Sequence, residues 1–312
     1  MIISASRRTD IPAFYSDWFL NRISEGYVVT KNPFNVNQLT KLRLDPSVVD
    51  AIVFWTKNSA PMISRVSELS GKGFIYYFQF TLTPYGTDIE PGLPAKEELI
   101  DIFGRLSDRI GRERVIWRYD PIFFSEKYTA EWHINKFEKY SAALKSYTRK
   151  VIFSFLDMDY KNTKHISEIG IRSGSTEEKN HIAKVLAKIA HSFNMRIETC
   201  AEAIELEKYG ITHGKCIDDK LIEELHGCPL LISKDKNQRQ ICGCVASVDI
   251  GIYNTCSHVC TYCYANFTKA SIAANREKHN PQSPILIGEC NAENLAFKKG
   301  QKSLIERQMN LF

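Results

Sequence analysis

Residues 242–266 read CGCVASVDIGIYNTCSHVCTYCYAN and hold five of the nine cysteines in the chain. The run 246–253 alternates, with β-branched Val248, Ile250 and Ile252 on one parity, which predicts a strand. Gly251 and Asn254 predict the turn that ends it, and the composition of 264–275 favours a helix. Between the two, Cys256, Cys260 and Cys263 follow the spacing C-x3-C-x2-C, with Tyr262 directly before the last thiol. Three thiols are therefore expected on one strand-to-helix loop.

Thiols this close can hold a metal centre. A structural zinc site takes four ligands, commonly in C-x2-C pairs, and Cys242, Cys244 and His258 are at hand to complete one. An iron–sulfur cube takes one thiolate per iron, so three thiols with no evident fourth leave one iron open to a small molecule. A disulfide framework is disfavoured, because nothing marks the chain as secreted. The spacing, with an aromatic before the last cysteine, resembles the radical S-adenosylmethionine (SAM) enzymes. The resemblance implies that Cys256, Cys260 and Cys263 ligate three irons of a 4Fe-4S cluster. It also implies that SAM binds the fourth iron and that Tyr262 lies beside the adenine. The activity it implies is reductive cleavage of SAM to a 5′-deoxyadenosyl radical acting on a substrate, fed by a one-electron donor such as flavodoxin or ferredoxin.

Working outward, strands are expected at 2–6, 51–55, 74–82, 114–119, 151–156 and 196–200, separated by helical patterns. A helix opens at Pro12 and stops at Gly26, another spans about 61–69, and Leu99, Ile102, Phe103, Leu106 and Ile110 mark a third. Trp132, Phe137, Tyr140 and Leu144 mark the next, and Ser175 with Glu178 forms a capping box for the last. A short extended piece at 27–31 runs into a turn at Asn32-Pro33, and 158–174 reads as a polar excursion. This alternation predicts a parallel sheet with helical crossovers. With the strand at 246–253, the count of about seven fits a partial or full β/α (TIM-like) barrel; a flavodoxin-like or Rossmann sheet is the alternative.

Radical SAM enzymes carry the cysteine loop after the first barrel strand, whereas here it follows the last. If the strand at 246–253 pairs beside the strand at 2–6, the barrel is circularly permuted. The loop then still projects from the carboxyl edge of the strands, where such barrels keep their active sites. Residues 1–240 are thus read as strands and helices of a barrel. Residues 241–312 are read as a cluster-binding strand, loop and helix that complete it, with a C-terminal tail.

Polar residues cluster just past the expected strand ends: Arg7, Arg8 and Asp10; Thr56, Lys57 and Asn58; Gln79, Thr81 and Thr83; Arg118 and Asp120; Asp157; Glu198 and Glu202. Arg118 and Asp120 share parity, as do Gln79 and Thr81, so each pair can face one side. Arg7, Arg8, Asp10, Arg118, Asp120 and Glu198 are the candidate catalytic residues, and Gln79 and Thr81 join Tyr262 as candidates for the SAM pocket. Ion pairs that tie the strand ends together are an equal reading for any one of them. Trp55, Trp117, Tyr76 and Phe80 are expected in the core. Cys200, Cys216, Cys242 and Cys244 are a candidate second metal centre, set against scattered buried thiols.

The chain has 312 residues, 44% hydrophobic and 25% charged, an ordinary globular composition. A net charge of +5 permits an anionic substrate or nucleic acid and demands neither. No apolar run approaches the roughly 20 residues of a spanning helix, so no membrane partner is expected, and MIISASRRTD lacks the order of a signal peptide. Free thiols in such a chain suit the cytoplasm. Two other functions fit the same residues: a zinc-dependent barrel hydrolase, and a non-catalytic iron–sulfur protein that senses redox state or binds nucleic acid. The tail from Lys298, basic and then amphipathic, is expected to pack on the domain.

SRRTDIPAFYSDWF near the start and the cysteine-rich stretch near the end, with VFWTKN, QFTLTPYG and WRYDPI between them, resemble a mostly bacterial family, domain of unknown function 1848. The resemblance runs the full length, supports the iron–sulfur reading and leaves the reaction open.

Overall fold

A computed structural model describes residues 1–33, 35–158, 166–167 and 169–306. Its strands are β1 (Ile2–Ala5), β2 (Tyr27–Asn32), β3 (Asn35–Arg43), β4 (Ala51–Thr56), β5 (Tyr76–Thr81), β6 (Val115–Ile122), β7 (Lys150–Phe155), β8 (Arg196–Thr199), β9 (Thr212–His213) and β10 (Val248–Asp249). The helices are α1 (Ile11–Phe14), α2 (Ser16–Glu25), α3 (Ala60–Ile63), α4 (Ser67–Gly71), α5 (Lys96–Ile110), α6 (Ala130–Leu144), α7 (Thr176–Ser192), α8 (Asp219–His226) and α9 (Lys269–Glu277).

Eight strands form one sheet in the order β10-β1-β4-β5-β6-β7-β8-β9, and every pairing in it is parallel. The fold is thus α/β, as the alternation predicts. The order never reverses, so the sheet lacks the switch point of a doubly wound fold. Among the described residues no pairing joins β9 to β10, and the sheet is open. The last strand lies beside the first, with Ile3 opposite Val248 and Ser4 opposite Asp249, which is the pairing that a permuted order requires.

Period-two alternation gives the sheet two apolar faces. Ile3, Ala5, Ile52, Phe54, Phe78, Trp117 and Phe153 pack under α2, α5, α6 and α7, through Trp18, Phe103, Phe137 and Leu186 among others. The residues of opposite parity, Ile2, Val53, Tyr77, Ile116 and Ile152, are covered instead by chain from the 216–245 region, through Cys216, Ile217, Leu221, Ile222, Cys244 and Val245. Tyr76, Phe80 and Trp117 are core residues, and Trp55 is partly buried beside this second face.

Several local expectations change. The extended piece at 27–31 is half of an antiparallel hairpin whose second strand, β3, is polar and lacks a hydrophobic signal. The helix expected from Pro12 breaks at Tyr15, and the one at 61–69 splits into α3 and α4. The strand at 246–253 contracts to β10, because after the Ile250 amide bonds Ser4 O the chain is held by side chains, Gly251 N by Asp249 and Ile252 N by Thr9. The following helix starts only after its Thr268 cap, since Asn254 N and Oδ1 bond Ala265 O and Phe267 N and keep the intervening chain in turns. The capping box of Ser175 and Glu178 is present. Within 158–174, residues 159–165 and 168 lie outside the described residues, whereas Ile166 and Ile171 are buried against Tyr85 and Phe123. The described tail packs against the domain through Leu304, whose amide reaches Asp50 at 3.0 Å and whose carbonyl accepts from Leu231 at 2.7 Å; residues 307–312 lie outside the description. No helix among the described residues is long and apolar enough to cross a membrane.

Candidate metal centre

The loop after β1 and the loop after β10 form one unit. Asp249 sits where the two strands end side by side and accepts from Ser4 Oγ and Ser6 Oγ, each at 2.7 Å, and from the amides of Arg7 and Gly251, each at 2.9 Å. Beyond it, the Thr9 and Thr255 hydroxyls meet at 2.7 Å, and Tyr15 donates to the Thr255 carbonyl at 2.7 Å. Gly251 is required by this approach, because a Cβ there would lie 2.0 Å from Ser6 Oγ. A lone carboxylate in an apolar strand is stable when donors of this kind surround it.

The cysteine loop is then clamped from two sides. The Asp10 carboxylate accepts from His258 Nε2 at 2.8 Å, from the Lys57 amide at 2.7 Å and from the Ala13 amide at 3.0 Å. Asp10 therefore braces three elements. On the other side the chain after β5 lies against the loop: the Gly92 amide donates to His258 O at 3.1 Å and the Thr261 amide to Ile89 O at 2.9 Å. A Cβ on Gly92 would stand 2.6 Å from Ser257 O and 2.8 Å from His258 Cα, so only glycine allows that contact.

Cys256, Cys260 and Cys263 are half-buried free thiols on this clamped loop. Burial raises all three, Cys260 to about 12 with the Lys57 ammonium pulling against it. Cys256 is raised further by the charges of Asp10, Cys263 and Cys260, so the three thiols share one electrostatic site. Thiols held protonated in this way bind metal by exchanging protons for it.

Beside Cys260 lies a carboxylate that the sequence reading passed over. Glu90 has no exposed side-chain surface and accepts from Lys57 Nζ and Thr83 Oγ1, each at 2.7 Å, from Lys96 and from the Tyr262 hydroxyl. Burial alone would raise it, but the two ammonium groups outweigh burial and bring it down to about 2. The Tyr262 phenol is raised far above its usual range by burial and by the adjacent carboxylate, so it stays a donor. Its ring packs near Tyr85 and Phe123, with centroids 6.0 and 6.2 Å away.

Other expected site residues divide. Arg118 bridges Asp120 and Cys216 Sγ, and it approaches Gln79 Oε1 at 3.4 Å; Asp120 also accepts from Ser154. Gln79 donates to Cys216 O at 3.0 Å, and Thr81 follows it on the same face. Arg7 stacks over Trp55 with its Cζ 5.4 Å from the ring centre. Arg8 stacks over Tyr253 at 5.1 Å and reaches Gly251 O at 3.4 Å, so it secures the turn after β10. Glu198 is not with the others. It pairs with Lys150 at 2.9 Å, alongside Asp218, in a cleft of about 240 Å³ whose walls include Arg112, Arg149 and Arg196 at the amino ends of β6–β8. Of the six remaining cysteines, Cys200, Cys216, Cys242 and Cys244 form a second group beside Arg118, and Cys228 and Cys290 lie elsewhere.

A family model described as Domain of unknown function (DUF1848) matches residues 2–265. The chain belongs to the DUF1848 family. No curated protein matches it. The DUF1848 match spans β1 to the end of the cysteine loop, so it contains both clamping loops and both groups of thiols and leaves out α9 and the tail.

What escaped sequence reasoning in this DUF1848 chain was mostly single residues in loops. Glu90 lies in GTDIEPG, where no periodicity marks it. Asp249 carried a signal, an acid between Val248 and Ile250 in an otherwise apolar strand, because such a group must find donors.

Proposed function

We propose that this protein is a radical SAM-type iron–sulfur enzyme whose strands form a partial β/α barrel, circularly permuted relative to other radical SAM enzymes. The unidirectional strand order and the packing of α2, α5, α6 and α7 on one face support the barrel reading. Cys256, Cys260 and Cys263 would ligate a 4Fe-4S cluster, and SAM would take the remaining iron.

The observation that carries this reading is that both protein groups able to complete a four-ligand site are engaged elsewhere. His258 has Nε2 on Asp10 at 2.8 Å and Nδ1 turned to Gly92 O at 3.4 Å. Cys242 and Cys244 belong to the group around Cys216. Three thiols with a free fourth position suit a cube with one open iron. Tetrahedral zinc, with Zn–S bonds of about 2.3 Å, sets its sulfurs about 3.8 Å apart. Among the described residues the one trio of ligand atoms within 4.8 Å of one another is Glu205, Glu207 and His213, all exposed, and no three thiols are that close.

When bound, the cluster and SAM supply one-electron reductive cleavage of a carbon–sulfur bond. The chain supplies the setting. Lys57, largely buried between Glu90 and Cys260, offsets negative charge beside a ligand. Glu90 fixes the Tyr262 ring, and Tyr85 and Phe123 close the apolar side against water.

Anaerobic reconstitution tests this reading. Brown protein given SAM and dithionite should release methionine and 5′-deoxyadenosine. Cluster-loaded protein that yields neither would sink the proposal, and colourless protein with stoichiometric zinc would favour a hydrolase. Cys260→Ala should lose the spectral response to SAM.

A further inference from the structure

Cys200, Cys216, Cys242 and Cys244 come from three connections: Cys200 follows β8, Cys216 follows β9, and the other two precede β10. Cys200 Sγ lies 3.2 Å from Cys216 Sγ, Cys216 is hydrogen-bonded to Cys244, and Cys244 to Cys242. Cys216, Cys242 and Cys244 are 6%, 7% and 2% exposed, and all four thiols are free.

Donors converge on these sulfurs. Arg118 Nη1 reaches Cys216 Sγ at 2.9 Å, and the amides of Cys216 and Ile217 point at Cys244 Sγ at 3.3 and 3.4 Å. The Cys216 carbonyl is pinned by Tyr77 Oη at 2.7 Å and Gln79 Nε2 at 3.0 Å, which fixes the thiol's backbone. The Arg7 guanidinium lies within electrostatic reach of Cys216 and Cys244, and its buried Nη2 has no hydrogen-bond partner among the described residues. A buried guanidinium nitrogen without an acceptor is costly, and it indicates a group that belongs there.

We infer that these four thiols ligate a second iron–sulfur cluster, one thiolate per iron, each thiol giving up its proton as it takes its metal. Arg118, Arg7 and the two amides are donors to its sulfurs. Two guanidinium groups offset the negative charge of four buried thiolates. Hydrogen bonds to cluster sulfurs are the usual supporting shell of such a centre. Zinc accounts for less. It brings no sulfide for Arg7 Nη2 to meet. The inference does not depend on the loop thiols or on SAM.

The test counts metal in three forms of the anaerobically reconstituted full chain. The unaltered protein should hold about eight irons and about eight sulfides per chain, as two cubes require. A Cys242→Ala, Cys244→Ala variant should keep about four irons and the SAM-responsive paramagnetic signal of the reduced protein. A Cys256→Ala, Cys260→Ala, Cys263→Ala variant leaves the second group intact; it should keep about four irons with a signal that SAM does not alter, whether or not the first variant folds. An iron-free triple variant would overturn the inference. So would one zinc per chain that disappears with Cys242 and Cys244, or a Cys200–Cys216 disulfide in peptides mapped from freshly isolated anaerobic protein.

Discussion

Asp10 and His258 are separated by 248 positions in the chain and by 2.8 Å in space. The same carboxylate oxygen also accepts the Lys57 amide at 2.7 Å, so one side chain registers the ends of β1, β4 and β10 against each other. The ends of three parallel strands, and with them the cysteine loop, are positioned by this one acid.

Asp10→Asn should therefore loosen the loop without touching a thiol. An amide cannot accept from all three donors as a carboxylate does, and losing charge-assisted bonds at a buried site costs about 2 kcal/mol. The expected result is a lowered Tm together with reduced iron retention by the loop site. An unchanged Tm would remove Asp10 from this role.

Gly92→Ala should be poorly tolerated, because the new methyl would meet backbone atoms of Ser257 and His258 at 2.6–2.8 Å. Overpacking of this kind costs about 1–3 kcal/mol. Gly71→Ala is the control. It lies at the end of α4 with nothing within 4 Å, and it should be neutral or slightly stabilising. Parallel melting curves of the two variants decide the matter.

Glu90 predicts a particular acid limb. Its carboxyl is lowered from 4.5 to about 2 in the folded chain, so its contribution is fully present above about pH 4.5 and is lost as pH falls toward 2. That contribution is on the order of 3 kcal/mol. Glu90→Gln should remove it at neutral pH, strand Lys57 and Lys96, and flatten the pH dependence of denaturant unfolding below pH 4.5. A variant whose acid limb matches the parent would refute this account.

Tyr262→Phe keeps the ring near Tyr85 and Phe123 and removes only the bond to Glu90. The expected loss is about 1 kcal/mol in stability with the cluster retained. If Tyr262 flanks SAM, SAM affinity should fall far more with Tyr262→Ala than with Tyr262→Phe, as titration of the reduced cluster's spectrum would show.

Glu198→Gln separates structure from chemistry. The glutamate belongs to the Lys150–Asp218 cluster at the amino ends of the strands. The variant should melt earlier while its rate of SAM cleavage per loaded cluster is unchanged. A tenfold fall in that rate would return Glu198 to the candidate site.

The sheet was legible because each buried strand is a short apolar run and each crossover helix has a helical stripe, as with 99–110 and 176–192. The strand containing β10 was legible from the alternation of Val248, Ile250 and Ile252, but its place beside β1 was reached only by way of the cysteine loop. The hairpin strand β3 was missed because it is mostly polar. Parity found Arg118 with Asp120 but gave no sign that Glu198 pairs with Lys150, since that contact depends on register between strands, which pattern alone does not give. Glu90 and Gly92 act through contacts between distant loops, and no local signal encodes those.

The placement of β10 at the flank of β1 orders events in time. A ribosome making this polypeptide will have released β1 and β4 through β9 before the first loop cysteine is polymerised. If the loop takes a metal, as proposed above, it does so late in biogenesis. Until then the edge of β1 that will receive β10 is bare, and a chain stalled before residue 248 presents an unpaired strand there.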